Sequence, residues 1–352
     1  MAFSSGGATS ALALILFITC GLVLAASPAA AGGGSGDKLM MHRFLRWQAK
    51  YNRSYSDAAE QQHRFEVYRR NMEYIEATNR AGNLTYELGE NQFADLTEQE
   101  FVDTYLMKDM PTTRGGGGGV AVDANASFCD AGVAAGAPAS VDWRTRGAVV
   151  PPKNQGASCS SCWAFVTAAT IESVNKIKKG NQLVSLSEQQ LVDCDPYDGG
   201  CNLGYFVNGY KWVIENGGLT TEAEYPYQAR RVYCNRAKSG HHVATIRSYA
   251  QVPAGEANLQ NAVVQQPVAA AIEAGGSMQF YRGGVYSGPC GQRMNHAITV
   301  IGYGADAGGQ KYWLVKNSWG NTWGENGYVR MRRDVGRGGI CGIALDLAYP
   351  VV

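Results

Sequence analysis

Residues 154–165 read Asn154-Gln155-Gly156-Ala157-Ser158-Cys159-Ser160-Ser161-Cys162-Trp163-Ala164-Phe165, and a helix has to start within them. Small and polar residues give way at Cys162 to an apolar stripe of Phe165, Ala168, Ile171, Val174 and Ile177 at three- and four-residue steps. That period predicts a helix beginning at or next to Cys162 and running to about Lys179, with Gly180 just beyond its end. A cysteine at a helix N-terminus faces unpaired N–H groups and the positive end of the dipole, which favour the thiolate. A nucleophile is one reading of this cysteine. Half a zinc site or a redox pair, from Cys159-x-x-Cys162, is another.

Outward from this helix, Ser187-Glu188-Gln189-Gln190 before Leu191 and Val192 is a capping-box start for a second helix. Residues 205–216 read as a third, stopped by Gly217-Gly218. Beyond about Tyr249 the character turns to strands: 268–272, 297–303, 311–316 and 328–332 are short, β-prone and separated by glycine-rich turns. The fold class is therefore α+β, a helical half followed by a β half, with the cleft between them as the natural site. His296 opens one strand and Asn317 ends another. A histidine base needs a partner on its second nitrogen, and an asparagine oxygen can be that partner. Gln155 offers an amide N–H that, with the backbone N–H of Cys162, would cradle the oxyanion of a tetrahedral intermediate.

The 352 residues carry 31 basic and 30 acidic side chains, with no basic stripe interleaved with aromatics, which argues against a nucleic-acid partner. The apolar run over 11–26 is shorter than the ~20 residues of a membrane span and is followed by small residues. It reads as a cleaved secretory leader, residues 1–26, although its first basic residue, Lys38, lies behind it; an uncleaved anchor is the rival. Nine cysteines suit that route. Cys20 falls in the leader, Cys129 in a Gly/Ala-rich stretch, and the other seven in the second half, an odd number that leaves one thiol after three disulfides. Sequons stand at Asn52, Asn83 and Asn125.

Residues 27–110 make up a first segment, polar and helical in pattern from Lys38 to about Met110, with Phe44, Trp47 and Tyr51 and then Phe65, Tyr68, Met72, Ile75 and Asn79 at helical steps. Residues 111–136, with five consecutive glycines, read as an exposed linker, and 137–352 as a globular domain.

Gln155, Cys159-x-x-Cys162-Trp163, Asn295-His296-Ala297 and Asn317-Ser318-Trp319-Gly320 together resemble the papain/cathepsin L family of cysteine proteases, including the separation of cysteine, histidine and asparagine. The resemblance runs from Pro138 to the C-terminus. It implies a two-lobe papain-like fold, with a helical left lobe and an antiparallel β-barrel-like right lobe. It implies peptide-bond hydrolysis by Cys162 and His296 with Asn317 and Gln155, without metal or organic cofactor. Disulfides Cys159–Cys201, Cys194–Cys234 and Cys290–Cys341 follow from it, as does a Trp319 shield over the His296–Asn317 hydrogen bond. Gly204 would present its backbone to an extended substrate. Tyr205, Phe206, Ala271, Met294 and Asp346 would line the pocket for the second residue before the cut. Asp346 at its far end would admit Arg or Lys there, the alternative being a solvated surface aspartate.

Upstream, Glu60, Arg64, Tyr68, Asn71, Ile75 and Asn79, then Gly89-x-Asn91-x-Phe93-x-Asp95, resemble the two motifs of this family's inhibitory pro-regions, with Tyr68 where Phe is commoner. The implied partners are protein or peptide substrates, the chain's own pro-region as inhibitor and cystatin-type inhibitors, on a monomer bound for the extracellular space or the vacuole or lysosome. Acid would loosen the pro-region by protonating carboxylates such as Asp95. Four positions depart from the family's pattern. One extra residue, Ala157 or Ser158, lies between Gln155 and Cys162; Ser160 and Leu203 replace glycines; Pro152 takes a place usually aliphatic.

Overall fold

The computed structural model describes residues 35–108, 110–111 and 136–352. The expected leader, the glycine run, Cys20, Cys129 and the Asn125 sequon lie outside them.

The first segment is built on α1 (Ser35–Lys50) and α2 (Ala58–Arg80), which meet through aromatic side chains: Phe44 stacks on Trp47 and packs on Phe65 and Tyr68. Asp57 caps α2 by accepting the N–H groups of Ala59 and Glu60. The polar residues of the helical motif reach the chain that follows. Asn71 donates to the carbonyls of Ala94 and Leu96, Asn79 exchanges two hydrogen bonds with Leu88, and the Tyr68 hydroxyl donates to Glu90 at 2.6 Å. That last bond gives tyrosine a use where phenylalanine has none. β1 (Tyr86–Leu88) and α3 (Glu98–Tyr105), opened by a Thr97–Glu100 capping box, complete the segment. Asn52 and Asn83 are both exposed, at left-handed turns.

The helical half holds α4 (Cys162–Lys179), α5 (Glu188–Cys194), α6 (Phe206–Asn216) and α7 (Arg236–Ser239). Gly180 ends α4 at φ 68°, as its position required. The single apolar stripe expected of α4 is not what the fold uses. Every residue from Cys162 to Asn175 is buried, because α4 lies between its neighbouring helices and the sheet. Its polar side chains are accommodated by bonding back one turn: Thr167 to Trp163, Thr170 to Val166, Ser173 to Ala169 and Asn175 to Ile171. Ser187 caps α5 through the Gln190 N–H, while the Gln190 side chain turns away to Thr220 and Ser239. Cys159–Cys201, Cys194–Cys234 and Cys290–Cys341 are disulfides, and Cys162 is free. The bond from Cys159 to Cys201 removes the zinc and redox-pair readings.

The β half contains β2 (Val141–Asp142), β3 (Ser248–Val252), β4 (Val268–Ile272), β5 (Tyr281–Tyr286), β6 (His296–Ala305), β7 (Lys311–Lys316), β8 (Tyr328–Arg332) and β9 (Leu347–Val351). Their order is β1-β5-β8-β7-β6-β4-β9-β3, with β2 on β6. Two expectations are corrected here. The sheet stays open, with β1 and β3 at its ends, and is not wholly antiparallel, since β5 and β8 run parallel. A helix, α8 (Glu256–Gln265), interrupts the strand-rich half, because Leu259, Ala262 and Val263 recur at helical spacing and bury against the sheet. β1 comes from the first segment and pairs with the edge strand β5, Tyr86 opposite Gly284. One continuous buried cluster therefore joins the first segment to the β half, while a second fills the helical half and reaches across to Ala271 and Ala297.

Candidate active site

Cys162 is the first residue of α4 and is wholly buried. Its sulfur accepts the Ala297 N–H at 3.4 Å, beside His296 at the start of β6. His296 Nε2 meets Asn317 Oδ1 at 2.8 Å. The same amide oxygen accepts the Ser318 N–H at 2.8 Å, which fixes it as an acceptor and leaves the ring hydrogen on Nε2. Nδ1 is buried without a hydrogen-bond partner. Trp319 stacks over the ring at 4.7 Å and 27°, and is itself held edge-on by Trp323, Phe93 and Phe101.

Gln155 joins them in spite of the extra residue. Gly156 turns the chain at φ 73°, and Ala157 and Ser158 bulge into solvent. Gln155 donates its N–H to Ser318 O at 2.8 Å, and the Ser318 hydroxyl donates to Gln155 Oε1 at 2.7 Å. So oriented, Gln155 Nε2 donates to the carbonyl of Tyr105 at 3.0 Å. The next carbonyl, Leu106, accepts the Ser160 hydroxyl at 3.3 Å, and the Met107 N–H donates to Asn295 O at 2.8 Å. Residues 105–107 thus cross the cleft on backbone hydrogen bonds. No sequence signal marked them, because backbone contacts leave no residue pattern. Ser160, standing in for glycine, adds a donor to the cleft wall.

The residues expected to line the pocket are buried. Tyr205, Phe206, Ala271 and Met294 share one buried cluster with Met107 and Met110 of the first segment. Asp346 is 2% exposed and accepts the Tyr205 hydroxyl at 2.7 Å, so it is not a solvated surface aspartate. Gly204 lies flat on Trp163: a Cβ there would come within 2.4 Å of three ring atoms.

The charge state differs from the expected thiolate. Burial pushes the Cys162 thiol up to about 12, outweighing the N–H groups of Ala297, Trp163 and Cys162 that favour the anion. Burial likewise lowers His296 to about 4, with the Asn317 hydrogen bond opposing it. With the first segment across the cleft, a charged pair would lie in a dry site without solvation, and both groups stay neutral.

Residues 137–351 match the papain family cysteine proteases, and residues 44–101 match the cathepsin propeptide inhibitor domain (I29). Ananain from Ananas comosus is 43% identical over 346 residues, 98% of this chain and 97% of its own. A recombinant stem bromelain precursor has a similar structure, with a TM-score of 0.80 at 42% identity over 89% of this chain and 99% of its own. A bromelain protease from Ananas comosus in complex with the E64 inhibitor has a TM-score of 0.59 at 48% identity, over 61% of this chain and 99% of its own.

The neutral pair has a measurable consequence. In the intact precursor, alkylation of Cys162 by iodoacetamide is expected to be negligible at neutral pH and to climb about tenfold per pH unit in the alkaline range, following the thiolate fraction. Excision of the first segment is expected to make the reaction fast at neutral pH. Rapid neutral alkylation mapped to Cys162 in the intact precursor would contradict the neutral thiol.

Proposed function

The chain belongs to the papain family of cysteine proteases and carries a cathepsin-type propeptide that inhibits it in cis, and on that premise we propose an endopeptidase whose nucleophile is Cys162 and whose base is His296. One observation carries the reading: the backbone carbonyl of Tyr105 rests on the Gln155 amide at 3.0 Å, and Gln155 is tied through Ser318 to Asn317, the partner of His296. That oxygen stands in for the oxygen of a scissile peptide bond. The proposed organisation is a leader over residues 1–26, an inhibitory pro-domain over 27–110, a cleavable linker over 111–136 and the peptidase domain over 137–352. It acts on proteins and peptides in the secretory pathway, outside the cell or in a vacuole or lysosome. The exposed Asn52 and Asn83 suit glycans.

Once the pro-domain leaves, water returns to the cleft and the Cys162 proton passes to His296 Nδ1. The sulfur attacks the carbonyl carbon, and the displaced electron pair collects on oxygen, held by Gln155 Nε2–H and the Cys162 N–H. Collapse breaks the C–N bond as His296 protonates the leaving amine. Water then gives a proton to His296, attacks the thioester and releases the acid, and sulfur leaves as thiolate. Asn317 holds the ring in its tautomer throughout.

The epoxide E64, bound by the bromelain named above, tests the assignment. The matured chain is expected to be labelled at residue 162 and lose its peptidase activity, with Cys162→Ala neither labelled nor active. A silent storage or binding relative would leave the epoxide unreacted.

Acid release is proposed as well, but not through Asp95. Burial raises the Asp95 carboxyl despite Arg53, Tyr55 and Arg64, so its protonation as pH falls favours the closed form. Glu100 has the opposite sign. Burial acts to raise it, yet the Thr97 N–H and hydroxyl and the Arg64 guanidinium outweigh that and hold it below its ordinary 4.5. Its stabilisation is whole above that value and drains away as pH falls through the lower one. Arg64 also pairs with Glu60, and Glu100 sits on α3, which runs straight into residues 105–107. Self-cleavage of the precursor is expected to be faster at about pH 4 than at about pH 7.5. Glu100→Gln is expected to move that rise to higher pH, and Asp95→Asn is expected not to. Equal rates at the two pH values would refute acid release.

Selectivity is proposed to rest on the largely apolar pocket, which favours Leu, Val or Phe, with Asp346 adding tolerance for Arg. Asp346→Ala is expected to lower turnover of peptides with Arg at the second position before the cut while sparing those with Leu. Equal losses would refute the assignment.

A further inference from the structure

We propose that Tyr227 is a positioning residue of the oxyanion site, its hydroxyl tying the residue before the nucleophile to the backbone of Gln155. The inference rests on the protease reading above. The two donors of that site, Gln155 Nε2–H and the Cys162 N–H, lie on either side of residues 156–161. That loop carries the extra residue and bulges into solvent at Ala157 and Ser158. The disulfide to Cys201 pins the loop at Cys159, and the extra residue lies between that pin and Gln155.

Tyr227 supplies the cross-tie. Its hydroxyl lies 2.6 Å from Ser161 Oγ and donates to Gln155 O at 2.9 Å. A phenol has one hydrogen, and the carbonyl can only accept it, so the serine hydroxyl donates to the phenol oxygen. The relay therefore runs Ser161 to Tyr227 to Gln155 in one direction. Ser161 is the N-cap residue of α4, yet its side chain makes no capping bond to the helix. Its other contact, to Cys159 O, is long at 3.5 Å. The cap residue has been turned toward the tyrosine. The ring in turn packs edge-on against Phe165, one turn into α4, at 4.9 Å and 82°, and the Tyr227 N–H donates to Glu222 at 2.8 Å. Tyr227 is thus fixed to α4 and to its own loop before it reaches Gln155. Ser318 O takes the N–H of Gln155, and Tyr227 holds its carbonyl on the side that leads into the bulge.

Removing the hydroxyl frees that side of Gln155, displacing an oxyanion donor without deleting it. Complete loss of one such donor costs about 10²–10³ in kcat, so displacement is expected to cost about tenfold. The test is a cycle on the matured enzyme, with Tyr227→Phe, Gln155→Ala and the double variant assayed on one peptide substrate. Tyr227→Phe is expected to lower kcat about tenfold with KM within about twofold, and to change kcat by less than about twofold when Gln155 is already alanine. Its iodoacetamide alkylation rate is expected to match the parent, because alkylation builds no oxyanion. An equal loss in both backgrounds, an unchanged kcat, or a parallel fall in alkylation would overturn the inference. Should Tyr227→Phe not yield folded precursor, Ser161→Ala removes the other arm of the relay with the ring kept in place. A loss of about two- to fivefold that vanishes in the Gln155→Ala background is then expected, and no loss or an additive one overturns it. An inactive parent enzyme would count against the protease reading alone, and additive losses in an active one against Tyr227 alone.

Discussion

Cys162 and His296 belong to opposite lobes, and only the seam where the N-terminus of α4 abuts the start of β6 brings them together. The Ala297 N–H on the Cys162 sulfur marks that seam. Register does the rest. β4 pairs Ile272 with His296 and Ala271 with Ala297, so the strand that presents the proposed base is registered against the strand that carries Ala271 of the proposed pocket. β7 runs alongside and delivers Asn317 at its end, within 2.8 Å of the ring. Successive side chains on a strand point to opposite faces, so a slip of one residue in β6 would turn the imidazole away from the sulfur. The open sheet and the buried helix thus act as one jig for two side chains.

The pro-domain exploits the same jig. It extends the sheet at the β5 edge through β1, pairing backbone groups that would otherwise face water. Phe93 and Phe101 close on Trp319, the ring that covers His296. From α3 the chain then enters the cleft and satisfies Gln155, Ser160 and Asn295 with backbone groups. Occupation and disarming are therefore one event. The segment that takes the Gln155 amide also excludes the water that an ion pair would need, and the thiol and imidazole answer by staying neutral.

Where a function depends on residue type and local period, it could be read from the sequence. Cys162 at a helix start, Gly180 past its end and the odd cysteine count are local or arithmetic signals, and strands such as Val268–Ile272 and Lys311–Lys316 have the expected bounds. What escaped was non-local. The resemblance implies a pro-region lying through the cleft, but which residues cross, 105–107, and the β1–β5 pairing are set by backbone groups, which any residue supplies. Tyr227 is a lone aromatic in a loop until folding sets it between Ser161 and Gln155. The helix at Glu256–Gln265 was hidden by strand-like surroundings, and the parallel β5–β8 pair depends on a connection that local patterning does not specify. The charge state escaped for a deeper reason. A helix N-terminus favours a thiolate, but desolvation belongs to the whole closed molecule and is the larger effect here.

Control by a removable segment follows from how the lobes are joined. Lys153, on the loop leading to Gln155, lies 2.8 Å from Glu188 on α5 and 3.8 Å from Glu172 on α4; Lys316, the residue before Asn317, lies 3.7 Å from the same Glu172. Glu172, Glu188 and Lys316 are nearly inaccessible to water, with side-chain exposures of 1%, 3% and 8%. Separating the lobes would break the Lys316–Glu172 pair, and leaving one buried charge uncompensated costs about 3–5 kcal/mol. A hinge that opened and closed the cleft would have to meet that cost on every cycle. The lobes are better held at one width, with access governed by a segment whose own internal ties, from Glu100 to Thr97 and Arg64, lie nearer the surface than the Glu172 pairs.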